Sequence, residues 1–326
     1  AGVGSLGFSG DGGPATEAQV WQPSDVAVNS QDIVYIADTL SSRVRKIESG
    51  IISTVAGGGS GAMASGGESA INAQISTPDS IYFDDNDTLY ISSVKVFRVT
   101  EAGNLEVVAG ISSPGYSRFT TLVSNTKIST PRGVLLTNDG ILFADSGNDR
   151  IRTVADGEIS TFAGGGAGDG LAATEAQFNY PSDIAVDAQG QVYISDTGNN
   201  RIRKINANGI ISTYAGNGLF VPQSDFGNGF LGENVPANEA QLYFPKGVAL
   251  DSQGNLYIAD QWNHRVRKVD TQGIITTLAG DGGAIFRGDG GNASSASIHD
   301  PFGLAVDGQD NVYIGAHSSH RIRKVT

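Results

Sequence analysis

A proline that recurs six times at nearly regular intervals constrains the fold of this chain more than any other feature of its sequence. It stands at Pro23, Pro78, Pro131, Pro181, Pro245 and Pro301, so successive copies are 55, 53, 50, 64 and 56 residues apart. A tyrosine or phenylalanine follows at one place in every copy: Tyr35, Tyr90, Phe143, Tyr193, Tyr257 and Tyr313. Repeats of this length are typical of chains built from structural units that stack on one another.

The copy at residues 181–216 shows what each unit is. It contains four short segments rich in Val, Ile and Tyr, at 184–186, 192–194, 201–205 and 210–215. Turns rich in Asp, Asn and Gly separate these segments, which are too short for helices and therefore predict four strands, a to d. Six such units predict an all-β, six-bladed β-propeller with four-stranded antiparallel blades, and no helix is expected.

The repeat phase also predicts the blade boundaries within a single domain, 1–326. Residues 1–22 form a connection into blade 1, and the blades cover about 23–57, 78–110, 131–164, 181–216, 245–280 and 301–326. The sixth blade lacks a recognisable outer strand, and the chain begins with Ala rather than Met. We therefore expect a part of a longer protein, in which an adjacent segment or a neighbouring chain completes blade 6.

The repeated motif is P-x-x-(V/I)-A-V-D-x-x-G-x-(V/L)-Y-I-A-D-x-x-N-x-R-(V/I)-R-K, and it recurs in phase along essentially all 326 residues. In this motif the chain resembles the NHL-repeat six-bladed propellers. The resemblance implies the fold, but the family includes extracellular modules of bacterial receptor kinases, cell-surface adhesion domains, RNA-binding domains and a metal-dependent amide lyase. A fold with so many uses does not by itself determine a function.

Charge argues against a nucleic-acid partner. The net charge is −13, and 16 of the 21 Lys and Arg residues lie in the six copies of strand c. The remaining five are Arg118, Lys127, Arg132, Lys246 and Arg287. Binding to phosphates needs a focused basic patch, which this distribution does not provide. Within strand c, we expect Arg201 and Arg203 either to lie over the neighbouring blade or to pair with Asp196.

Two absences in the sequence narrow the protein class further. The chain has no Cys, which excludes disulfides and Cys-based zinc sites. No apolar run approaches the roughly 18 residues of a membrane-spanning helix, so no membrane insertion is expected. We expect an extracellular, cell-surface or periplasmic protein.

The blade topology places the d–a connections and the b–c turns on one face of the disc, here called the upper face. The a–b and c–d turns lie on the opposite, lower face. All four histidines, Trp262 and the long connection 217–244 fall on the upper face in the sector of blades 5 and 6. These features predict a binding surface that contains Phe220, Phe226, Phe230, Trp262, His264, His299, His317 and His320.

The histidines permit a second interpretation, a zinc or copper ion on the face of blades 5 and 6. In the lyase of the NHL family, metal-bound histidines near the channel carry catalysis, so the resemblance also implies a metal-dependent lyase or hydrolase as an alternative. However, no HxH or HExxH spacing occurs, and His264 and His320 stand where other blades have Asn200 or Asp149. Solvated polar turn residues are therefore the favoured interpretation, with no catalytic residue and no resident cofactor assigned.

The preferred functional prediction is a non-catalytic extracellular module that binds a protein or glycan, or serves as a building block of a surface assembly. The lyase or hydrolase and, less favoured by the acidic charge, a nucleic-acid binder are the alternatives. Two N-glycosylation sequons, at Asn86 and Asn292, lie in predicted loops and would accept a glycan in a secreted eukaryotic protein.

Overall fold

The computed structural model describes residues 1–111, 113–117, 121–166, 171–219 and 232–326. Within these residues 25 strands form six sheets. The strands of blades 1 to 3 are β1 (Asp25–Val28), β2 (Val34–Asp38), β3 (Arg43–Glu48), β4 (Ile51–Gly57), β5 (Ser80–Phe83), β6 (Leu89–Ser92), β7 (Val96–Val99), β8 (Leu105–Ala109), β9 (Thr121–Leu122), β10 (Pro131–Thr137), β11 (Gly140–Asp145), β12 (Arg150–Ala155) and β13 (Glu158–Ala163). Those of blades 4 to 6 are β14 (Pro181–Val186), β15 (Val192–Asp196), β16 (Arg201–Ile205), β17 (Ile211–Ala215), β18 (Val235–Pro236), β19 (Pro245–Leu250), β20 (Leu256–Asp260), β21 (Arg265–Val269), β22 (Ile274–Ala279), β23 (Pro301–Val306), β24 (Val312–Ala316) and β25 (Arg321–Val325).

Each blade is an antiparallel sheet in which consecutive strands pair, so the predicted all-β six-bladed propeller is confirmed. Two short strands were not predicted: β9 adds a fifth strand to blade 3 beside β13, and β18 adds one to blade 5 beside β22. Both belong to connections between blades. Each connection forms backbone hydrogen bonds with the free edge of an outer strand, and these bonds fix its position.

The blades form a closed ring around a central channel. The first strand of each blade packs against the first strands of both neighbours, and β1 closes the ring against β23. One cluster of buried apolar side chains lies between each pair of neighbouring blades. Ile184 and Ile194 of blade 4, for example, pack with Leu135 and Leu142 of blade 3. Because every interface between blades buries such a cluster, the ring is stabilised evenly around its circumference.

The expectation that no helix would form is corrected by short 3₁₀ turns, because the b–c turns and connections tighten locally through i→i+3 hydrogen bonds. Five b–c turns contain one: Thr39–Ser41, Ser146–Asn148, Thr197–Asn199, Gln261–Asn263 and His317–Ser319. Five connections contain another: Ala70–Asn72, Val123–Asn125, Ala173–Glu175, Ala237–Glu239 and Ala293–Ser295. No helix in the described part of the chain has the length and apolarity needed to cross a bilayer.

The arginines of strand c bind the connections to the blades. Arg203 Nη1 lies 3.1 Å from Asp196 Oδ2 and its side chain is only 4% exposed, so the predicted pairing with Asp196 is confirmed in a buried form. Arg45 in blade 1 is fully buried and bonds to Asp38, to Asp11 and to the carbonyl oxygens of residues 9 and 19. Such an arginine joins strand c, strand b and the incoming connection at one point.

Blade 6 has three strands in the described residues, as predicted. Ala1 exchanges two backbone hydrogen bonds with Ile322, at 2.9 and 3.0 Å. It therefore takes the position beside β25 that Ala56 takes beside Val44 in blade 1. Next to β25 lies a groove of about 1050 Å³.

Candidate binding site at the channel mouth

In four of the six blades, a break in strand pairing places one side chain at the upper mouth of the channel. In blades 3 to 6 the pairing of the first two strands skips the two residues after the proline. Bulges of this kind redirect side chains and are common beside functional sites. The residues that directly follow the six prolines are Ser24, Asp79, Arg132, Ser182, Lys246 and Phe302.

The residue before each proline has a left-handed backbone. Gln22, Thr77, Thr130, Tyr180, Phe244 and Asp300 have φ between 42° and 54°. A non-glycine residue in this region is uncommon and costs about 1–3 kcal/mol, so the surrounding contacts must hold it there. Tyr180 and Phe244 occupy this position in neighbouring blades, which brings two aromatic rings to the same part of the mouth.

For four of these six residues, the backbone N–H is bonded to the b–c turn of the preceding blade. Tyr180 N donates to Asp149 Oδ1 at 2.7 Å, and Phe244 N donates to Asn200 Oδ1 at 2.9 Å. In the same way, Asp300 N donates to His264 Nδ1 at 3.3 Å, and Gln22 N donates to His320 Nδ1 at 3.1 Å.

His264 and His320 therefore serve as polar turn residues that bind one blade to the next. Burial lowers the pKa of both rings, which keeps them neutral and leaves Nδ1 able to accept. Both histidines lie in the b–c turns, as the sequence places them, but they are half-buried against the next blade rather than solvated.

Two cations lie among aromatic rings at the mouth. Lys246 Nζ is 5.1 Å from the ring centre of Phe302, 5.6 Å from that of Tyr180 and 5.7 Å from that of Phe244. The Arg132 guanidinium is 5.2 Å from the ring of Tyr180 and 5.7 Å from that of Phe302. The rings are half-buried, so their exposed parts and the two cations together form the surface of the mouth.

The polar atoms of the two cations are largely unsatisfied. Lys246 is 5% exposed, and no described group accepts a hydrogen bond from Nζ or pairs with it. Arg132 Nη2 lies 3.2 Å from Asp79 Oδ2, whereas Nε and Nη1 are buried without a described partner. Burial lowers the pKa of Lys246 to about 7, and the nearby positive charge of Arg132 contributes to this shift while Asp79 opposes it.

Two aspartates form the floor of the mouth on the channel axis. Asp25 accepts hydrogen bonds from Val26 N and Ile81 N, at 2.8 and 2.9 Å. Asp183 accepts them from Ile184 N and Val248 N, at 2.9 and 2.8 Å. Each carboxylate thus joins the first strand of its own blade to that of the next blade.

These aspartates divide the channel. They line a pocket of about 20 Å³ above, which has room for one water molecule, and a cavity of about 420 Å³ below. Burial raises the pKa of both carboxyls, and the charge of Asp183 adds to the shift at Asp25.

The predicted aromatic and histidine residues surround this mouth in the sector of blades 5 and 6. Trp262 stacks on Phe244 with ring centres 4.3 Å apart and planes within 7°. His317 stacks on Phe302 at 5.0 Å, and burial lowers its pKa to about 4. His264 and His299 meet edge to face at 5.3 Å. Phe220, Phe226 and Phe230 lie outside the described residues.

The rings of His264, His299 and His317 gather around Asp300. His264 Nδ1 lies 3.4 Å and His299 Nε2 lies 3.7 Å from an Asp300 carboxylate oxygen, and Asp300 contributes to the pKa of His317. His320 lies at the boundary with blade 1, where its Nδ1 accepts from Gln22 N, and its charge also acts on the pKa of His317. Among the described residues, no group of three or more His, Asp or Glu has the arrangement needed to hold a metal ion.

Asn86 and Asn292 are exposed in loops, and their glycosylation stays a prediction. The sequence did not predict five residues of the mouth as site residues: Arg132, Lys246, Tyr180, Phe244 and Phe302. One signal pointed to the first two, because they are basic residues outside strand c that directly follow a repeat proline.

Comparison with known proteins gives one consistent family. The family described as the Teneurin NHL domain matches residues 6–167, 156–227 and 223–286. NHL repeat-containing protein 2 from Bos taurus is 26% identical over 318 residues, which cover 94% of this chain and 39% of that protein. Protein SUPPRESSOR OF QUENCHING 1, chloroplastic, from Arabidopsis thaliana is 27% identical over 293 residues, 82% of this chain and 27% of that protein. This chain thus spans less than half the length of either relative.

Solved structures share the architecture at low sequence identity. A structural genomics protein of unknown function from Bacteroides thetaiotaomicron has a TM-score of 0.72 and 18% identity, covering 99% of this chain and 73% of that chain. An auxiliary nutrient binding protein from the same species has a TM-score of 0.66 and 15% identity, covering 98% and 75%. Virginiamycin B lyase from Staphylococcus aureus has a TM-score of 0.53 and 15% identity, covering 94% and 81%.

Identities this low show the fold alone. The Teneurin NHL match, in contrast, extends over most of the sequence and agrees with the six blades that the structure contains. The chain belongs to the NHL-repeat family of six-bladed β-propellers.

Proposed function

We propose that this propeller is a non-catalytic binding module that holds a protein or glycan ligand at the upper mouth of its channel. The observation that carries the proposal is the aromatic surface of that mouth, in which Trp262 and Phe244 stack face to face and Tyr180 and Phe302 flank Lys246. Binding sites combine aromatic area with a few polar groups that fix orientation. The left-handed residues and bulges supply a preformed backbone, which lowers the entropy cost of binding.

We place this function outside the cell, at the cell surface or in the periplasm. The net charge of −13 favours a partner other than nucleic acid. The fold is shared with proteins as different as an auxiliary nutrient binding protein and virginiamycin B lyase, so fold likeness does not select the ligand.

A metal-dependent lyase or hydrolase is the second candidate, which the histidines around Asp300 suggest. Such an enzyme needs a bound metal, and the histidine nitrogens nearest to Asp300 lie 3.4 and 3.7 Å from its oxygens. Metal analysis of the purified protein tests this candidate directly. One equivalent of zinc or copper that is retained on dialysis and lost in His264→Asn together with His299→Asn would replace the binding proposal with an enzymatic one.

The binding proposal is tested with an array of immobilised plant and bacterial oligosaccharides and extracellular proteins. Trp262→Ala and Phe244→Leu remove parts of the aromatic surface, so each should weaken binding to the recognised spots about tenfold or more. Phe83→Leu is the matched control, because Phe83 packs on Tyr35 near the lower face. Equal binding by all three variants and the original protein would contradict the proposed location of the site.

A further inference from the structure

Two of the five basic residues outside strand c lie together at the mouth of this acidic protein. Sixteen of the 21 basic residues lie in strand c, whereas Arg132 and Lys246 lie in bulges that face the channel. Both cations lie within 5.7 Å of the ring centres of Tyr180 and Phe302. The two cations are therefore close enough to act on one ligand.

Lys246 has no counter-ion among the described residues. It is 5% exposed, Nζ has no described hydrogen-bond acceptor, and the groups around it are the rings of Tyr180, Phe244 and Phe302. Burying an unpaired ammonium is unfavourable, and contacts with aromatic faces offset this only in part. A buried cation held in this way is suited to an anion that arrives from outside.

Arg132 adds donors but little net charge. One of its nitrogens pairs with Asp79, while Nε and Nη1 have no described partner. The Asp25 and Asp183 carboxyls lie below. Asp79 thus offsets the charge of Arg132, and the charge left for a ligand is at most that of one ammonium, present when Lys246 is protonated. This charge matches a singly charged carboxylate better than a doubly charged phosphate.

The shape of the mouth limits what can carry the carboxylate. The pocket between Lys246 and the axial aspartates holds about 20 Å³, so the ligand lies over the mouth and does not pass through the channel. Phe244 and Trp262 form a flat stacked surface beside it. The apolar C–H face of a pyranose ring can pack on such a surface while an attached carboxylate reaches inward.

We propose that Lys246 and Arg132 bind the carboxylate of an acidic sugar, a hexuronate, whose ring packs on the aromatic surface of the mouth. The inference rests on the proposed function of this face as a binding site. In this proposal, Lys246 selects a ligand of negative charge, and the aromatic residues hold the sugar ring.

The experiment compares trigalacturonate with its fully methyl-esterified form by calorimetry on the full chain. The ester keeps the rings and replaces each carboxylate with a neutral methyl ester. We expect the acid to bind at least tenfold more tightly than the ester, and Lys246→Met and Arg132→Gln each to remove most of that difference. Lys268→Met is the matched control, since Lys268 Nζ lies 3.8 Å from Asp251, far from the mouth.

Thermal unfolding of each variant establishes that it is folded, and Lys246→Gln replaces Lys246→Met if the latter fails to fold. Equal binding of acid and ester, with both weakened by Trp262→Ala, would overturn the anion site and leave the binding face intact. Tighter binding of triglutamate or inorganic phosphate than of trigalacturonate would overturn the sugar-acid assignment. Absence of any binding by the acid would overturn the inference as a whole.

Discussion

Lys246 occupies a position that disfavours its own charge. It is almost fully enclosed, it faces Arg132, and the nearest acidic group that influences it is Asp79. His317 also lies close enough to feel its charge. Burial lowers the pKa of Lys246 to about 7 from a usual value of 10.5. Its protonation must therefore affect the stability of the fold.

We predict a pH dependence of stability that Lys246→Met removes. Between pH 7 and 10.5 the unfolded chain binds more protons at this residue than the folded chain, so the free energy of unfolding rises with pH. The total gain in the free energy of unfolding is about 1.4 kcal/mol for each unit by which the pKa of Lys246 differs between the folded and unfolded states. Urea unfolding at pH 7, 8, 9 and 10 measures it as the difference between the original protein and the variant.

Lys268→Met provides the control, because Lys268 is partly exposed on another part of blade 5. The free energy of unfolding of Lys268→Met should rise with pH in parallel with that of the original protein. If Lys246→Met shows the same rise with pH, the pKa of Lys246 is not lowered and its ammonium is in contact with solvent.

At the residue scale, the sequence predicted the turn histidines better than the cations. His264 and His320 align with Asn200 and Asp149, and all four accept a backbone N–H of the next blade. The position of Lys246 depends instead on a bulge in strand pairing and on a left-handed residue before proline. Residues before proline usually adopt extended conformations, so local preference gave no indication of this geometry.

At the scale of elements, the connections determine how the blades are held. Arg45 in β3 bonds to Asp11 at 2.7 Å and to the carbonyl of Gln19 at 2.6 Å, both in the connection 1–22. Lys46, the next residue, points outward and pairs with Glu48 at the surface. Adjacent positions in one strand thus have opposite environments, as alternation in a strand requires.

We predict that Arg45→Met destabilises the protein by about 3–5 kcal/mol, because it leaves Asp38 buried without its cation. Lys46→Met should cost less than about 1 kcal/mol, because exposed pairs contribute little. Denaturant unfolding measures both variants. Hydrogen exchange should show faster opening of residues 9–19 in Arg45→Met alone, and unchanged exchange there would mean that the arginine does not hold the connection.

The element boundaries follow from the sequence where the repeat is regular. The predicted segment 201–205 of strand c agrees with β16 (Arg201–Ile205), because alternating Ile and Arg residues match one buried and one polar face. The short 3₁₀ turns and the extra strands β9 and β18 were not predicted. The 3₁₀ turns form through local i→i+3 hydrogen bonds. The strands β9 and β18 arise where a connection pairs with the outer strand of the blade that it crosses, and this pairing is not encoded in local periodicity.

At the scale of the whole molecule, blade 6 is the one unit that the described residues leave with an open side. β25 exposes its outer edge along the groove of about 1050 Å³, and Ala1 already pairs with Ile322 at one end of that groove. In blade 1 the equivalent position, Ala56, is the end of strand β4. Ala1 thus occupies the place that the end of a fourth strand would take beside β25.

We predict that adding the sequence Gly-Ile-Ile-Ser-Thr-Val directly before Ala1 stabilises the protein. These are the residues that precede Ala56 in blade 1, and they would pair with β25 and fill the groove with apolar side chains. We expect the Tm to rise by about 5 °C or more. A Gly-Ser extension of equal length should leave the Tm unchanged, and an equal rise for both extensions would show that strand pairing is not the cause.

The axis of the channel has a consequence for any attempt to idealise this fold. Only blades 1 and 4 place an aspartate at the second residue after the proline, Asp25 and Asp183, whereas blades 3, 5 and 6 have glycine there. A side chain at Gly133 would collide with Asp183, and one at Gly303 would collide with Asp25. A consensus propeller made of six copies of blade 4 would therefore crowd six carboxyl groups onto one axis, where they could neither fit nor all ionise. A symmetric version based on blade 4 needs glycine at the second residue after the proline in the blades that face an axial aspartate.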